Sequence, residues 1–138
     1  MKLYSWNVNG IRAAEKKGFV DWLQREQPDV LGIQELKAEP DQLSDALKDV
    51  EGYHVFFNPA ERRGYSGTAV YYKREPKRIL TGLSDERFNH EGRTIILEYP
   101  DFTLYNIYFP NGSQSDERLQ FKMDFYDGFP AGDRKSVV

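Results

Sequence analysis

Two short stretches decide the fold of this chain: Lys2-Leu3-Tyr4-Ser5-Trp6-Asn7-Val8-Asn9-Gly10 and Asp29-Val30-Leu31-Gly32-Ile33-Gln34-Glu35. In each, a run rich in apolar, β-branched or aromatic residues ends abruptly at polar side chains, as a strand does at the edge of a sheet. The residues between them have the spacing of an amphipathic helix. Strand, helix and strand in this order predict a parallel, right-handed βαβ unit. Because parallel strands end at the same edge, we expect Asn7, Asn9 and Glu35 to share one rim.

From Tyr53 onward the pattern changes to alternation and turns. It predicts further strands, largely antiparallel, over 53–57, 68–72, 79–83, 93–99 and 102–109. Helices are expected over 41–50 and from Ser113, where Asp116 is placed as a capping partner. A last strand begins at residue 134. The sequence therefore predicts an α/β fold with a mixed, largely antiparallel sheet in one domain, 1–138.

Composition limits the compartment and the partners. The 138 residues include no cysteine, so no disulfide framework is expected, and the composition is typical of a cytoplasmic protein. No apolar run approaches the ~20 residues of a membrane span, so we expect no membrane partner. The net charge of −3 argues weakly against nucleic acid. Basic doublets nevertheless concentrate positive charge locally, at 16–17, 62–63, 73–74 and 77–78.

The polar residues at the strand ends suggest metal and phosphate chemistry. A carboxylate at the end of an apolar strand, such as Glu35, is costly unless it is paired or metal-bound. Mg²⁺ takes oxygen ligands, and Glu35 with the Asn7 amide would supply the share that comes from the protein. The alternative is an ion pair between Glu35 and Lys37. Tyr108, near the end of a later strand, is either a donor to phosphate or a packing residue.

Five motifs occur in a fixed order: Ser-Trp-Asn-Val-Asn-Gly-Ile-Arg-Ala at 5–13, Pro-Asp-Val-Leu-Gly-Ile-Gln-Glu-Leu-Lys at 28–37, Gly-Tyr-Ser-Gly-Thr-Ala at 64–69, Glu-Gly-Arg at 91–93 and Tyr-Phe-Pro-Asn-Gly at 108–112. Together they cover nearly the whole chain. The ordered set resembles the exodeoxyribonuclease III family, the bacterial-type apurinic/apyrimidinic endonucleases of the endonuclease/exonuclease/phosphatase superfamily. The resemblance implies a four-layer α/β sandwich, of which this chain would form the N-terminal half.

The resemblance also implies a reaction and a set of catalytic residues. The reaction is Mg²⁺- or Mn²⁺-dependent cleavage of the DNA backbone 5′ to an abasic site, usually with 3′→5′ exonuclease and 3′-phosphatase activity. Glu35 would be the metal ligand, and Asn7 would orient the metal or the attacking water. Tyr108 would contact the scissile phosphate. Asn111, which by itself reads as a turn residue, would help to position that phosphate. Asn9 stands where some relatives carry an aspartate.

The partner implied by the resemblance is double-stranded DNA with abasic sites or 3′ ends. Four residues match family positions near the DNA backbone: Arg12, Lys37, Gly64 and Tyr65. The family continues with a Gly-Asp-X-Asn strand end, a later aspartate and a Ser-Asp-His motif, whereas this sequence ends before them. We therefore expect about half of such a domain, with its C-terminal half missing, and a chain that is inactive alone.

Two alternatives stand beside this interpretation. One is a non-catalytic half-domain that folds only with a second copy, as a homodimer, or with a complementary C-terminal half. The other is a phosphodiesterase of the same superfamily that acts on a lipid or an inositol phosphate. Cleavage of an abasic duplex but not of inositol phosphates would separate the second alternative from a DNA enzyme.

Overall fold

The chain is described by a computed structural model over residues 1–83, 86–110, 117, 118, 120, 121 and 123, and over the backbone of residues 136 and 137. The strands are β1 Leu3–Asn7, β2 Val30–Gln34, β3 His54–Asn58, β4 Thr68–Tyr72, β5 Arg78–Leu80, β6 Thr94–Glu98, β7 Thr103–Ile107 and β8 Ser136–Val137. The helices are α1 Ile11–Lys16, α2 Phe19–Glu26 and α3 Asp45–Lys48. Short 3₁₀ turns lie at Pro40–Gln42 and Glu86–Phe88.

The strands form two four-stranded sheets, in the orders β1-β2-β4-β3 and β5-β6-β7-β8. β1 and β2 are parallel, which confirms the predicted βαβ unit. β7 and β8 are also parallel, and the other neighbouring strands are antiparallel. The predicted α/β fold with a mixed, largely antiparallel sheet is therefore confirmed.

One core lies between the first sheet and the helices. Phe19 and Leu23 of α2 are buried against Ile33 of β2 and Tyr71 of β4. Trp6 of β1 packs on Phe19, with the ring centroids 5.5 Å apart. β2 and β4 are buried on both faces, which explains why they read as nearly continuous hydrophobic runs.

A second core joins the two sheets face to face. Val30 and Val70 of the first sheet pack with Ile95, Leu97 and Leu104 of the second. These residues alternate with side chains on the opposite face of each strand, as the pleat requires. The described part of the chain thus forms a helix layer and two sheet layers in succession.

A polar contact crosses this second core. The Asn106 amide of β7 donates to the backbone oxygens of Ile33 at 3.2 Å and Ala69 at 2.8 Å. Its oxygen accepts a 2.7 Å hydrogen bond from the Gln34 side chain. A Cβ atom at Gly32 would lie 2.7 Å from that same Asn106 oxygen. Glycine at position 32 is therefore what lets Asn106 reach β2.

The helical predictions need two corrections. The helix after β1 is interrupted at Gly18, whose φ of 95° is left-handed and which becomes the N-cap of α2. The single helix predicted over 41–50 is wrong, because a 3₁₀ turn that starts at Pro40 is closed by a capping box between Glu39 and Gln42. Only the four residues of α3 are α-helical there, after Ser44 caps them.

Some predicted features lie wholly or partly outside the described residues. The start predicted at Ser113, with its partner Asp116, falls outside, although residues 117, 118, 120, 121 and 123 are helical. Strand formation at the end of the sequence is seen in the backbone of β8. Among the described helices, none is long and apolar enough to cross a membrane.

Candidate functional site

The carboxyl ends of β1 and β2 meet at one edge of the first sheet. Asn7 is paired with Gln34 as the last residue of each strand, and Glu35 follows Gln34 directly. Asn7 and Asn9 are exposed, and the Glu35 side chain retains 22% of its accessible surface. The structure thus places Asn7, Asn9 and Glu35 on a common rim, where solvent and a ligand can reach them.

Backbone hydrogen bonds hold the loops of this rim together. The Gly10 N–H donates to the backbone oxygen of Glu35 at 2.8 Å, and this bond joins the loops after β1 and β2. The Leu36 N–H donates to the Gly67 oxygen at 3.0 Å, which joins the second loop to the start of β4. The Asn9 N–H donates to the Asn7 side-chain oxygen at 3.0 Å. These contacts fix the positions from which the rim side chains project.

Three rim residues that are not glycine have left-handed backbones. The φ angles are 49° at Asn9, 55° at Glu35 and 51° at Lys37. This region disfavours residues with a Cβ, asparagine less than most, and such residues concentrate at functional sites. Here the turn directs Glu35 and Lys37 to the same side.

Lys37 lies across the rim. Its ammonium donates to the Asn9 side-chain oxygen at 2.7 Å and stands 3.5 Å from a Glu35 carboxylate oxygen. The ion pair stated above as an alternative for Glu35 is therefore present. An ammonium at this distance neutralises a carboxylate, and it also leaves the Glu35 oxygens oriented toward a cationic position.

The chemistry of the donor set fits a hard divalent cation. Glu35 and Asn7 offer carboxylate and amide oxygens, the ligands that Mg²⁺ and Mn²⁺ prefer. Within the described residues, no group of three or more His, Cys, Asp or Glu side chains is arranged to hold a metal. A site with so few protein ligands suits Mg²⁺, which keeps several waters and commonly binds substrate phosphate.

Tyr108 brings the second sheet to the same rim. It follows β7, and its N–H donates to the Arg93 backbone oxygen at 2.9 Å. Burial raises the pKa of the Tyr108 phenol, the Glu35 carboxylate raises it further, and Arg93 opposes them. The phenol therefore keeps its proton at neutral pH and is a hydrogen-bond donor beside Glu35.

A buried arginine supports Tyr108. The Arg93 side chain is 2% exposed, and its guanidinium lies 4.8 Å from the centre of the Tyr108 ring. It also donates to the Tyr108 backbone oxygen at 3.1 Å. A guanidinium over a ring face is attracted by the aromatic quadrupole, so this contact fixes both groups.

Glu91 is the anion that balances this arginine. Its carboxylate lies 2.7 Å from Arg93 and 3.0 Å from Arg118, and it accepts a 2.8 Å hydrogen bond from the Tyr65 hydroxyl. Burial alone would raise the pKa of Glu91, but the hydrogen bonds from Arg118, Arg93 and Tyr65 hold it below its usual value. The carboxylate is therefore ionised in the folded protein near neutral pH.

These contacts explain two residues that the sequence analysis missed. Glu91 belongs to a motif that carried the resemblance, but its partners lie in other motifs, so it received no role. Arg118 lies in a helical segment where no spacing marks it as part of a site. Both are identified by contacts between distant parts of the chain: Glu91 lies 26 residues from Tyr65 and 27 residues from Arg118 in the sequence.

The predicted DNA-binding residues lie beside the rim. Arg12, Lys37 and Gly64 line one open cleft of about 740 Å³, which Lys16 also borders. Tyr65, next to Gly64, carries the Arg62 guanidinium 5.1 Å from its ring centre. The structure thus brings the four predicted binding residues to one side of the molecule. Asn111 lies outside the described residues.

A sequence profile described as "Endonuclease/Exonuclease/phosphatase family" matches residues 4–138. The exodeoxyribonuclease of Bacillus subtilis is 40% identical over 126 residues, which are 91% of this chain and 49% of that protein. The DNA-(apurinic or apyrimidinic site) endonuclease of Dictyostelium discoideum is 38% identical over 92% of this chain and 35% of its own length. The solved structure of an AP endonuclease from Archaeoglobus fulgidus has a TM-score of 0.76 and 31% identity over 92% of this chain and 48% of that one. The chain spans about half the length, or less, of these relatives.

Proposed function

Because the chain belongs to the endonuclease/exonuclease/phosphatase family, we propose that it supplies the metal- and phosphate-binding part of a DNA-repair phosphodiesterase. The intact enzyme would cleave the DNA backbone 5′ to abasic sites and would remove nucleotides from 3′ ends. The names of the relatives from Bacillus subtilis and Dictyostelium discoideum support this substrate class over a lipid or an inositol phosphate. A cytoplasmic location remains a prediction from the composition.

One observation carries the proposal: residues from both sheets converge on a single rim. Glu35 and Asn7 come from the parallel pair of the first sheet, and Tyr108 comes from the end of β7 in the second. Glu35 is close enough to Tyr108 to raise the pKa of its phenol. A carboxylate, an amide and a protonated phenol together can hold a cation and a phosphate side by side.

Glu35 and Asn7 would hold the metal ion, Mg²⁺ or Mn²⁺. When bound, such an ion polarises a phosphoryl oxygen and stabilises the charge on a leaving oxygen. Lys37 pairs with Glu35 across the rim and would offer its ammonium to a DNA phosphate. Asn9, which accepts from Lys37, keeps that ammonium on the rim.

Tyr108 and Arg93 would act on the phosphate. Tyr108 keeps its proton on the phenolic oxygen and donates it as a hydrogen bond to a nonbridging oxygen, where negative charge develops. Arg93 holds Tyr108 in place through its contacts with the Tyr108 ring and backbone oxygen. Its positive charge would also attract the phosphate. Asn111 is proposed as a second donor on the strength of the family motif.

The cleft beside the rim would bind the DNA backbone. Arg12 and Lys37 offer positive charge to phosphates, and the exposed backbone at Gly64 allows close approach. Tyr65, which follows Gly64 of the cleft, donates its hydroxyl to the Glu91 carboxylate. A backbone-binding surface of this kind recognises duplex DNA without reading its sequence.

A second candidate function is a half-domain that binds but does not cleave. The names of the relatives do not favour it, and the chemistry of the rim is the observation that bears on it. Among the described rim residues Asn7, Asn9, Glu35, Lys37 and Tyr108, Glu35 is the one carboxylate and is assigned to the metal, so a second group that could take a proton from water near neutral pH is not among them. A homodimer or a complementary C-terminal half would then have to supply that group.

The deciding experiment uses the 138-residue chain and a fluorescent duplex with one abasic site. Nicking is measured in Mg²⁺ and in EDTA, duplex binding by anisotropy, Mn²⁺ binding by calorimetry and mass by size exclusion. Glu35→Gln is the test variant, and Glu51→Gln, at an exposed turn, is its charge-matched control. We expect Mn²⁺ and duplex binding that Glu35→Gln weakens and Glu51→Gln leaves unchanged.

The outcomes separate the candidates. Nicking that needs Mg²⁺ and is lost in Glu35→Gln supports the enzyme and removes the half-domain. A dimer that binds duplex and metal without nicking supports the half-domain. Absence of both Mn²⁺ and duplex binding in a folded chain contradicts the proposal.

A further inference from the structure

Glu91 joins three chain segments behind the rim. Its carboxylate accepts hydrogen bonds from the Tyr65 hydroxyl of the loop before β4, from Arg93 just before β6 and from Arg118. Residues 64–69, 91–93 and 108–112 are separate motifs in the sequence, and Arg93 passes the connection on to Tyr108. Within the described residues, the Glu91 carboxylate forms its hydrogen bonds and ion pairs with Tyr65, Arg93 and Arg118 rather than with Glu35 or Asn7, so its effect must pass through these partners.

We propose that Glu91 is a positioning residue, which locks the Arg93 guanidinium and the Tyr65 phenol in place and thereby holds Tyr108 in the orientation that contacts the phosphate. The inference rests on the proposed function for the role of Tyr108, and extends it to a residue behind the site. The unit formed by Tyr65, Glu91, Arg93 and Tyr108 is called the Glu91 frame below.

The geometry of Arg93 makes the frame specific. Its Nε and one Nη both donate to a single Glu91 oxygen, at 3.2 and 2.7 Å. Its other Nη donates to the Tyr108 backbone oxygen at 3.1 Å. A planar guanidinium held at both sides cannot rotate, so the face that it presents to the Tyr108 ring is fixed. A lysine at this position could not make the same set of contacts.

Burial makes the frame dependent on its anion. Arg93 is 2% exposed, so water cannot replace the bonds that Glu91 supplies. Tyr65 depends on the same carboxylate, since its hydroxyl donates to Glu91 and accepts from Arg93 at 3.3 Å. Loss of the negative charge on Glu91 would therefore free both the Arg93 guanidinium and the Tyr65 phenol.

The test variant is Glu91→Gln, which keeps the size and removes the charge. Glu61→Gln is the control, because Glu61 is an exposed carboxylate that pairs with His90 close to the same segment. The chain is labelled with ¹⁵N in arginine and ¹³C in tyrosine rings. Signals are assigned to Arg93 and Tyr108 from Arg93→Lys and Tyr108→Phe, and thermal unfolding checks that each variant is folded.

We expect the Nε–H of Arg93 to exchange slowly with solvent in the wild-type chain and in Glu61→Gln, and faster in Glu91→Gln. The Tyr108 ring signals should shift in Glu91→Gln in the same direction as in Arg93→Lys. Affinity for the abasic duplex in Mg²⁺ should fall about tenfold in Glu91→Gln, the lower end of the loss when a supporting partner is removed. Nicking, where the wild-type chain shows it, should fall through kcat more than through KM.

The proposal is overturned if Arg93 exchange and the Tyr108 signals are the same in Glu91→Gln as in the wild type. It is also overturned if Glu91→Gln only lowers the unfolding temperature and binds duplex as Glu61→Gln does. A wild-type chain that binds neither metal nor duplex contradicts the proposed function instead, and the two NMR signals then decide the positioning role alone.

Discussion

The described part of the chain contains two polar clusters, one buried and one partly buried, that do different work. One is neutral and lies between the sheets, where the Asn106 amide bonds to Gln34 and to the backbone of β2 and β4. The other is the Glu91 frame, which is charged and lies behind the rim. Both satisfy nearly all their hydrogen-bonding groups, as buried polar atoms must.

The two clusters differ in their effect: the neutral one fixes the geometry of the sheets, and the charged one places positive charge beside the rim. A neutral amide is cheaper to bury than an ion and has no long-range field, so the Asn106 cluster fixes the spacing and register of the two sheets. Arg93 of the Glu91 frame and Arg118 beside it place two guanidinium groups against one carboxylate and so leave positive charge beside the rim. Buried charge is thus found where a phosphate is expected, and buried amides where only packing is needed.

The largest expected effect comes from breaking the charged cluster. Arg93→Met removes a 2% exposed guanidinium and leaves Glu91 with fewer partners. The free energy of unfolding should fall by about 3 kcal/mol, the lower end for a broken buried ion pair, because Arg118 remains. Urea denaturation measures it. Arg63→Met breaks only an exposed pair with Asp41 and should change stability by less than about 0.5 kcal/mol.

Breaking the neutral cluster should have the next largest effect. Gly32→Ala places a Cβ atom 2.7 Å from the Asn106 oxygen, so the amide must move and lose hydrogen bonds. We expect a loss of about 2 kcal/mol in unfolding free energy from overpacking and unpaired polar groups. In an Asn106→Ala background the same substitution should be nearly neutral. Equal losses in both backgrounds would contradict the steric explanation.

Acid should separate the clusters, because only one of them titrates. The pKa of Glu91 is lowered in the folded state, so its stabilisation is present above its unfolded-state pKa and is lost as the pH falls through the lowered value. From about pH 6 to about pH 3, Glu91→Gln should therefore lose less stability than the wild-type chain. Glu98→Gln, at an exposed pair with Arg78, is the comparison. Parallel pH curves for the wild type and Glu91→Gln would argue against the linkage.

The smallest expected effect concerns the cleft outside both clusters. Arg12→Ala removes one exposed cation and should weaken duplex binding only a few-fold, independently of sequence. The slope of log affinity against log salt should become about one unit less steep. Anisotropy titrations at several salt concentrations measure both values. An unchanged slope would place Arg12 away from the DNA backbone.

Sequence reasoning works where a local pattern determines the result. The apolar runs before Asn7 and Glu35 predict two strands, and the helix between them indicates that the strands are parallel, as the structure confirms. The common rim follows from that topology alone. Motif order then identified the family.

The rest depends on contacts that no local pattern carries. Glu91 meets Arg118 and Tyr65 only after three segments fold together, and Asn106 reads as an ordinary polar residue of an alternating strand until β2 and β4 offer it carbonyl groups. The helix predicted over 41–50 failed for a related reason. Its spacing is helical, but the caps at Glu39 and Ser44 divide it into two short pieces.

Asn9, Glu35 and Lys37 have left-handed backbones, a conformation that residues with a Cβ disfavour. The side chains proposed to act at the rim therefore stand at positions where they cost conformational energy. Glycine at each of these three positions would relieve roughly 1 kcal/mol of backbone strain in the folded state. Selection of a library for heat resistance alone should accordingly enrich glycine there and return more stable proteins that lack the side chains proposed to bind metal and DNA. A stabilised version that is meant to keep the proposed metal and DNA binding should therefore leave these three residues unchanged.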